Sequence, residues 1–307
     1  MNNKKIIFMG TPLIAAQHLK ILFDNNYQIE AVFTQPPRKK NRGMKIEKSA
    51  VHQFALNNNM KVFFPDKLDD SSFYQLKKMK PDLIIVVAYG LILPKRFIDL
   101  PKLGSINVHV SLLPRWRGAA PIEYALLNGD IETGISIIKL ESKLDAGPIL
   151  FQKKIKISNA IIKDDLFDKL IKVGTKNLIE FLPKFFAGSV NSIKQDESLA
   201  TYANKINTGI RKLDFNDLTL NVFNKIRAYS KNPGAWFLLN GQRIKIIRAK
   251  ISTKKGKPST ILNNQFEIGC KDGSIIPLFL QREGKKAVSL EEFIKGFNFS
   301  IGDEINA

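Results

Sequence analysis

The 307-residue chain has one cysteine, Cys270, and only three histidines, His18, His52 and His109. A lone thiol excludes an intrachain disulfide and a cysteine-built zinc site, and three scattered imidazoles leave little for a metal cluster. Acid is scarce, with 28 Asp and Glu against 48 Lys and Arg and a formal net charge of +20. Long hydrophobic runs are missing too, since none approaches the roughly 20 residues that span a bilayer. The apolar run at 6–9 stops at Gly10-Thr11-Pro12, too short for a secretory leader. A cytoplasmic protein without membrane contact is expected. Gly-Thr-Pro is also not a GxGxxG fingerprint, so a dinucleotide cofactor finds no support.

What is present is ordinary globular material, 44% hydrophobic and 25% charged, long enough for two domains. In the first half, strand-like runs at 5–9, 29–34, 82–88, 106–110, 134–140 and 149–157 alternate with helix-like stretches at 13–23, 49–57 and 164–186. Near-continuous apolar strands between helices predict an α/β, Rossmann-like, mostly parallel sheet with helices on both faces. The texture changes near Gly188. Beyond it come short β runs at 235–239, 243–249, 265–268 and 274–280, with Asn240-Gly241 and Asp272-Gly273 as hairpin signals. These predict a smaller OB-like antiparallel β-barrel. The expected division is a catalytic domain at 1–187, a linker at 188–208 and the barrel at 209–307.

The basic excess is clustered. Arg38, Lys39, Lys40, Arg42, Lys45 and Lys48 stand against Glu47 alone, and residues 205–257 hold 13 bases against Asp214 and Asp217. Uniform over-use of Lys, Asn and Ile would raise the charge without grouping it. Grouping points to a polyanion, with nucleic acid the natural partner.

The densest polar cluster is Ser105-Ile106-Asn107-Val108-His109-Val110-Ser111-Leu112-Leu113-Pro114. Asn107 and His109 are two apart, so on a strand both side chains leave the same face. At the C-terminal end of a parallel strand that face opens on the ligand crevice. The plain alternative is a capped strand end. Asp145, in Leu144-Asp145-Ala146-Gly147-Pro148, reads by itself as a turn residue; beside an imidazole it would orient the ring.

Extended to Ile106-Asn107-Val108-His109-Val110-Ser111-Leu112-Leu113-Pro114-Arg115-Trp116-Arg117-Gly118-Ala119-Ala120-Pro121, the segment resembles the signature of the folate-dependent formyltransferase family. Further matches follow in order: Gly10-Thr11-Pro12, Thr34-Gln35-Pro36, Arg42-Gly43, 87–94, Leu144-Asp145-Ala146-Gly147, Pro233-Gly234-Ala235-Trp236 and Gly284-Lys285-Lys286. The resemblance implies Asn107, His109 and Asp145 as catalytic residues and Ser111, Leu112, Leu113 and Pro114 as the folate-binding segment. It implies a tRNA-gripping loop carrying Arg38, Lys39, Lys40, Arg42 and Lys45. Val110 stands where the family usually has Gly, which narrows the backbone approach beside the folate.

The implied reaction passes a formyl group from 10-formyltetrahydrofolate, a co-substrate, to a primary amine, with no metal and no tightly bound cofactor. The extension through Arg-Trp-Arg-Gly-Ala-Ala-Pro most resembles the branch acting on initiator methionyl-tRNA, working as a monomer. A small-amine formyltransferase and a non-enzymatic RNA-binding protein are the alternatives; neither accounts for both the basic clusters and the three polar residues.

Overall fold

The computed structural model describes residues 3–40, 45–207 and 209–306. Strands and helices alternate from the start: β1 (Ile6–Gly10), α1 (Leu13–Asp24), β2 (Ile29–Phe33), β3 (Arg38–Lys40), β4 (Lys45–Glu47), α2 (Ala50–Asn57), β5 (Val62–Phe63), α3 (Asp70–Met79) and β6 (Leu83–Val87). The chain continues through α4 (Lys95–Ile98), β7 (Ser105–His109), β8 (Arg117–Gly118), α5 (Pro121–Leu127), β9 (Glu132–Lys139), β10 (Ile149–Lys156), α6 (Lys163–Phe186) and β11 (Tyr202–Ala203). It divides into two compact units. One holds residues 1–119, 134–155 and 169–203; the other holds 120–133, 156–168 and 204–307.

The first unit is organised by a seven-stranded sheet of order β10-β9-β7-β6-β1-β2-β5. Strands β7, β6, β1, β2 and β5 run parallel, and β9 pairs antiparallel with β7. Every residue of β1 and β6 is buried, as expected of apolar runs without alternation, which need cover on both faces. From β1 the chain moves outward to β2 and β5, then returns to β6 on the other side of β1. The winding therefore reverses at the β1–β6 boundary, where open α/β sheets form their crevice. The loops there are tied together: Thr11 Oγ1 donates to the Tyr89 carbonyl at 2.7 Å, and Gln35 Nε2 to the same oxygen at 3.2 Å.

The basic segment expected as a loop contains a short antiparallel ribbon, β3 on β4, with Arg38 opposite Glu47. Residues 41–44 lie outside the described residues, Arg42 among them.

The second unit adds α7 (Thr219–Tyr229), β12 (Ala235–Leu239), β13 (Gln242–Ser252), β14 (Ile268–Gly269), β15 (Ser274–Arg282), β16 (Val288–Ser289) and α8 (Leu290–Lys295). Its strands form an antiparallel sheet of order β12-β13-β15-β14, with β16 on β15. Asn240 (φ +51°) and Gly241 (φ +69°) make the β12–β13 turn, both left-handed as a two-residue hairpin of matching twist requires. Phe215, Phe237, Phe266 and Phe293 form an aromatic centre with Ile244, Ile246 and Leu280.

Candidate active site

Strand β7 lies where the parallel part of the sheet meets antiparallel β9. Asn107 faces Ile138 and His109 faces Ser136 across that pairing. The two-residue period puts both side chains on one face, and the loop after residue 140 brings Asp145 to them. All three are buried, at 8%, 6% and 8% exposure. Asn107 Nδ2 donates to Asp145 Oδ1 at 3.3 Å, and His109 Nδ1 stands 3.6 Å from Asp145 Oδ2. The Gly118 N–H donates to the same Oδ2 at 2.8 Å.

The other ring nitrogen fixes the tautomer. His109 Nε2 lies 2.9 Å from the Trp116 carbonyl oxygen, which can only accept, so Nε2 carries a hydrogen. In the neutral ring Nδ1 then presents its lone pair toward Asp145 Oδ2. That arrangement suits proton transfer: an acceptor pair beside a carboxamide N–H that can meet developing negative charge.

Two backbone positions make the cluster possible. Asp145 (φ +49°) and Trp116 (φ +62°) both occupy the left-handed region, at about 1–2 kcal/mol each for a side chain with a Cβ. Gly147 is required for a different reason. A Cβ there would stand 1.8 Å from the Lys139 carbonyl oxygen, so the loop can pass the end of β9 only as glycine.

The segment after β7 is pinned to the sheet. Ser136 Oγ donates to the Ser111 carbonyl at 2.7 Å and accepts from the Leu113 N–H at 3.1 Å. Gln152 Nε2 donates to the Leu113 carbonyl at 2.8 Å. Ser111 and Leu113 are buried, while Leu112 and Pro114 are half-buried. Arg38 is exposed on β3, and Lys39, Lys40 and Lys45 belong to the β3–β4 ribbon.

Several residues at this cluster escape sequence reasoning. Arg117 is fully buried, and Gln195 reaches the Asp145 loop from 50 positions away. Glu197 binds the Arg117 guanidinium and Lys143, and these two cations hold its carboxyl down at about 2. Arg117 stands in the signature segment 106–121 without an assigned role, and nothing in the sequence marks Gln195 or Glu197. A cavity of about 460 Å³ opens elsewhere, beside Phe63, Phe64 and Asp69, and none of Asn107, His109 and Asp145 lines it. Among the described residues, no cluster of three or more His, Cys, Asp or Glu could hold a metal ion.

The comparisons with known proteins cover both units. Residues 4–182 match the formyl transferase family, and residues 205–298 match the formyl transferase C-terminal domain. The methionyl-tRNA formyltransferase of Pelagibacter ubique is 40% identical over 305 residues, covering 98% of each chain. That of Lactobacillus johnsonii is 39% identical over 308 residues, again covering 98% of each. Among solved structures, the sugar 3N-formyl transferase WlaRD superposes with a TM-score of 0.68 at 22% identity, over 92% of this chain and 99% of that one. HypX from Aquifex aeolicus gives 0.66 at 17%, over 98% of this chain and 48% of its own. Both share the fold; WlaRD was solved with 5-N-formyl-THF and HypX with tetrahydrofolic acid. The chain belongs to the formyl transferase family.

Proposed function

We propose that the chain transfers the formyl group of 10-formyltetrahydrofolate to the α-amino group of initiator methionyl-tRNA. The observation that carries this reading is the buried cluster of Asn107, His109 and Asp145 in a chain that matches methionyl-tRNA formyltransferases from end to end. The neutral amine nitrogen adds to the formyl carbon, and the carbonyl oxygen becomes an oxyanion. One N–H of Asn107 serves Asp145; the second serves the oxyanion, a donor worth roughly 3–4 kcal/mol. The new ammonium gives its proton to the His109–Asp145 pair, whose Nδ1 and Oδ2 stand 3.6 Å apart. Collapse restores the carbonyl, breaks the bond to N10, and the pair returns the proton to N10 as tetrahydrofolate leaves. Acid–base help of this kind contributes about 10²–10⁴-fold.

In this reading Ser111, Leu112, Leu113 and Pro114 face the folate. Their backbone is held by Ser136 and Gln152, so the surface offered to the co-substrate is preorganised. Arg38, Lys39, Lys40, Arg42 and Lys45 grip tRNA phosphates where β2 leaves the same sheet edge as β7. The barrel adds the bases of 205–257 to that grip. The division is 1–187 for catalysis, 188–208 as connector and 209–307 for tRNA. The enzyme works as a monomer in the cytoplasm; no described helix is long and apolar enough to cross a membrane.

Incubation with 10-formyltetrahydrofolate and either charged initiator tRNA or a panel of small amines tests the reading. Transfer to the tRNA is expected. Transfer to a small amine alone overturns the tRNA substrate, and no transfer to any amine overturns the enzyme.

A further inference from the structure

Arg117 lies between the two backbone groups that hold the reacting pair: the Trp116 carbonyl accepts from His109, and the Gly118 N–H donates to Asp145. Its side chain is wholly enclosed. Nε and Nη2 both donate to Gln195 Oε1, at 3.1 and 2.8 Å, while Nη1 and Nη2 meet the two Glu197 oxygens at 3.1 and 2.8 Å. Gln195 then turns its other end back toward the site. Its Nε2 donates to the backbone carbonyls of Asp145 and Gly147, at 2.8 and 2.7 Å.

The path closes on itself. It runs from Asp145 through Gly118 to Arg117, across to Gln195, and back to the Asp145 carbonyl. The chain segment that follows reinforces it. Trp116 N–H donates to Thr201 Oγ1 at 2.9 Å, Arg117 N–H to the Thr201 carbonyl at 2.9 Å, and Ala119 N–H to the Ala203 carbonyl at 2.8 Å. Residues 195–203, which look like plain linker in the sequence, therefore have fixed partners around the site.

We infer that Gln195, oriented by the Arg117 guanidinium, is a positioning residue that sets the approach of Asp145 to His109. Its chemistry is specific to a carboxamide. The oxygen must face a cation and the nitrogen must face two acceptors, so the amide has one orientation. Glu at this position would aim a carboxylate at two carbonyl oxygens. An apolar residue would strand both carbonyls and part of the guanidinium. The constraint has something to hold, because Asp145 and Trp116 both sit in left-handed backbone, a region that non-glycine residues leave when released. Gln195 touches no reacting atom in this scheme; it acts through the loop. Displacement of the loop by about 1 Å would cost on the order of 10²-fold in rate.

This inference rests on the formyl-transfer reading, and the test separates the two. Wild-type transfer to charged initiator tRNA is measured first; an inactive wild type sinks the reaction and not the positioning scheme. With an active wild type, Gln195→Ala is expected to lower kcat about 10–100-fold, with KM for 10-formyltetrahydrofolate within about threefold. Gln195→Glu keeps the acceptor for Arg117 and replaces the two donors by an oxygen facing the Asp145 and Gly147 carbonyls, so it should show at least the same kcat loss, measured below its own Tm. It also carries the comparison if the alanine variant does not fold. In an Asp145→Asn background the second substitution should cost less than about threefold more, because the aligned group is already disabled. A kcat within threefold of wild type in Gln195→Glu overturns the proposal. So do equal losses with and without the Asp145→Asn substitution, which would mark Gln195 as structural support only.

Discussion

His109 can present Nδ1 to Asp145 only while its Nε2–H stays on the Trp116 carbonyl, so the ring's orientation and its tautomer are set by one bond. Asn107→Ala and His109→Ala should each lower kcat by at least about 10²-fold, from the single-donor and acid–base magnitudes. Asp145→Asn should do likewise while formyl-folate binding persists, since charge is lost and volume kept. Steady-state kinetics on folded variants checks this; losses under threefold would contradict the assignment. A second histidine has the opposite character. His18 on α1 is fully buried, its Nδ1–H donating to the Ile14 carbonyl at 2.8 Å, and its Nε2 has no hydrogen-bond partner among the described residues. That nitrogen stands over Gly174 of α6, where a Cβ would come within 2.7 Å. Burial pushes its pKa down to about 4. An unfolded imidazole titrates near 6.5, so between about pH 6.5 and 4 the unfolded chain binds more protons and stability falls as pH falls; above 6.5 the contribution vanishes. The deficit should be about 2 kcal/mol at pH 5 and about 3 kcal/mol below pH 4. Urea midpoints at pH 7 and 5 should show that drop in wild type and lose most of it in His18→Gln. At this scale the two-residue spacing placed Asn107 and His109 on one strand, where β7 has them. Their catalytic roles, and that of Asp145, came only through the resemblance. Arg117 and Gln195 did not come at all, because nothing local marks a glutamine whose carbonyl partners lie 48 and 50 positions away.

Elements carry the site through two close passages. The 145–147 loop leaves β9 so tightly that Gly147 admits no Cβ. Gly147→Ala should therefore lower Tm, by an overpacking cost of about 1–3 kcal/mol, and cut kcat about 10²-fold by displacing Asp145. Thermal melts beside turnover would show both; a variant with normal turnover would mean that the loop relaxes without moving the carboxylate. The second passage is at Gly118, where a Cβ would stand 2.8 Å from the Ala203 carbonyl oxygen. The strands of the large sheet were legible because β1, β6 and β7 are buried throughout and the first two read as unbroken apolar runs. Helix α3 was not. Its sequence DSSFYQLKKM offers few apolar positions, and it is set by the Asp69 cap on the Ser72 N–H and by Leu76 and Met79 beneath. Short α5, β5 and α8 give too few residues for any period to emerge. The ribbon β3–β4 was hidden by its own charge, since a basic stretch reads as loop until pairing is seen.

For the whole molecule, the decisive question is what a charge of +20 does. Bias spread over the chain would give a diffuse field, whereas a phosphate grip needs bases in fixed places. If the bases at 38–48 and in 205–257 neutralise phosphates, each contact releases counterions, and log K for tRNA should fall linearly with log salt at about −0.7 to −0.9 per contact. Arg42→Ala should lower tRNA affinity and reduce that slope by about one contact. Formyl-folate binding should be unchanged, because residues 111–114 are pinned to the sheet by Ser136 and Gln152 and lie outside the basic ribbon. Catalysis on saturating tRNA should be nearly unaffected, which distinguishes a lost grip from a damaged site. Filter binding at several salt concentrations, on wild type and Arg42→Ala, reads slope and affinity together. A flat salt response would mean that the bases serve no phosphate, and it would count against the tRNA substrate even with a working Asn107–His109–Asp145 cluster.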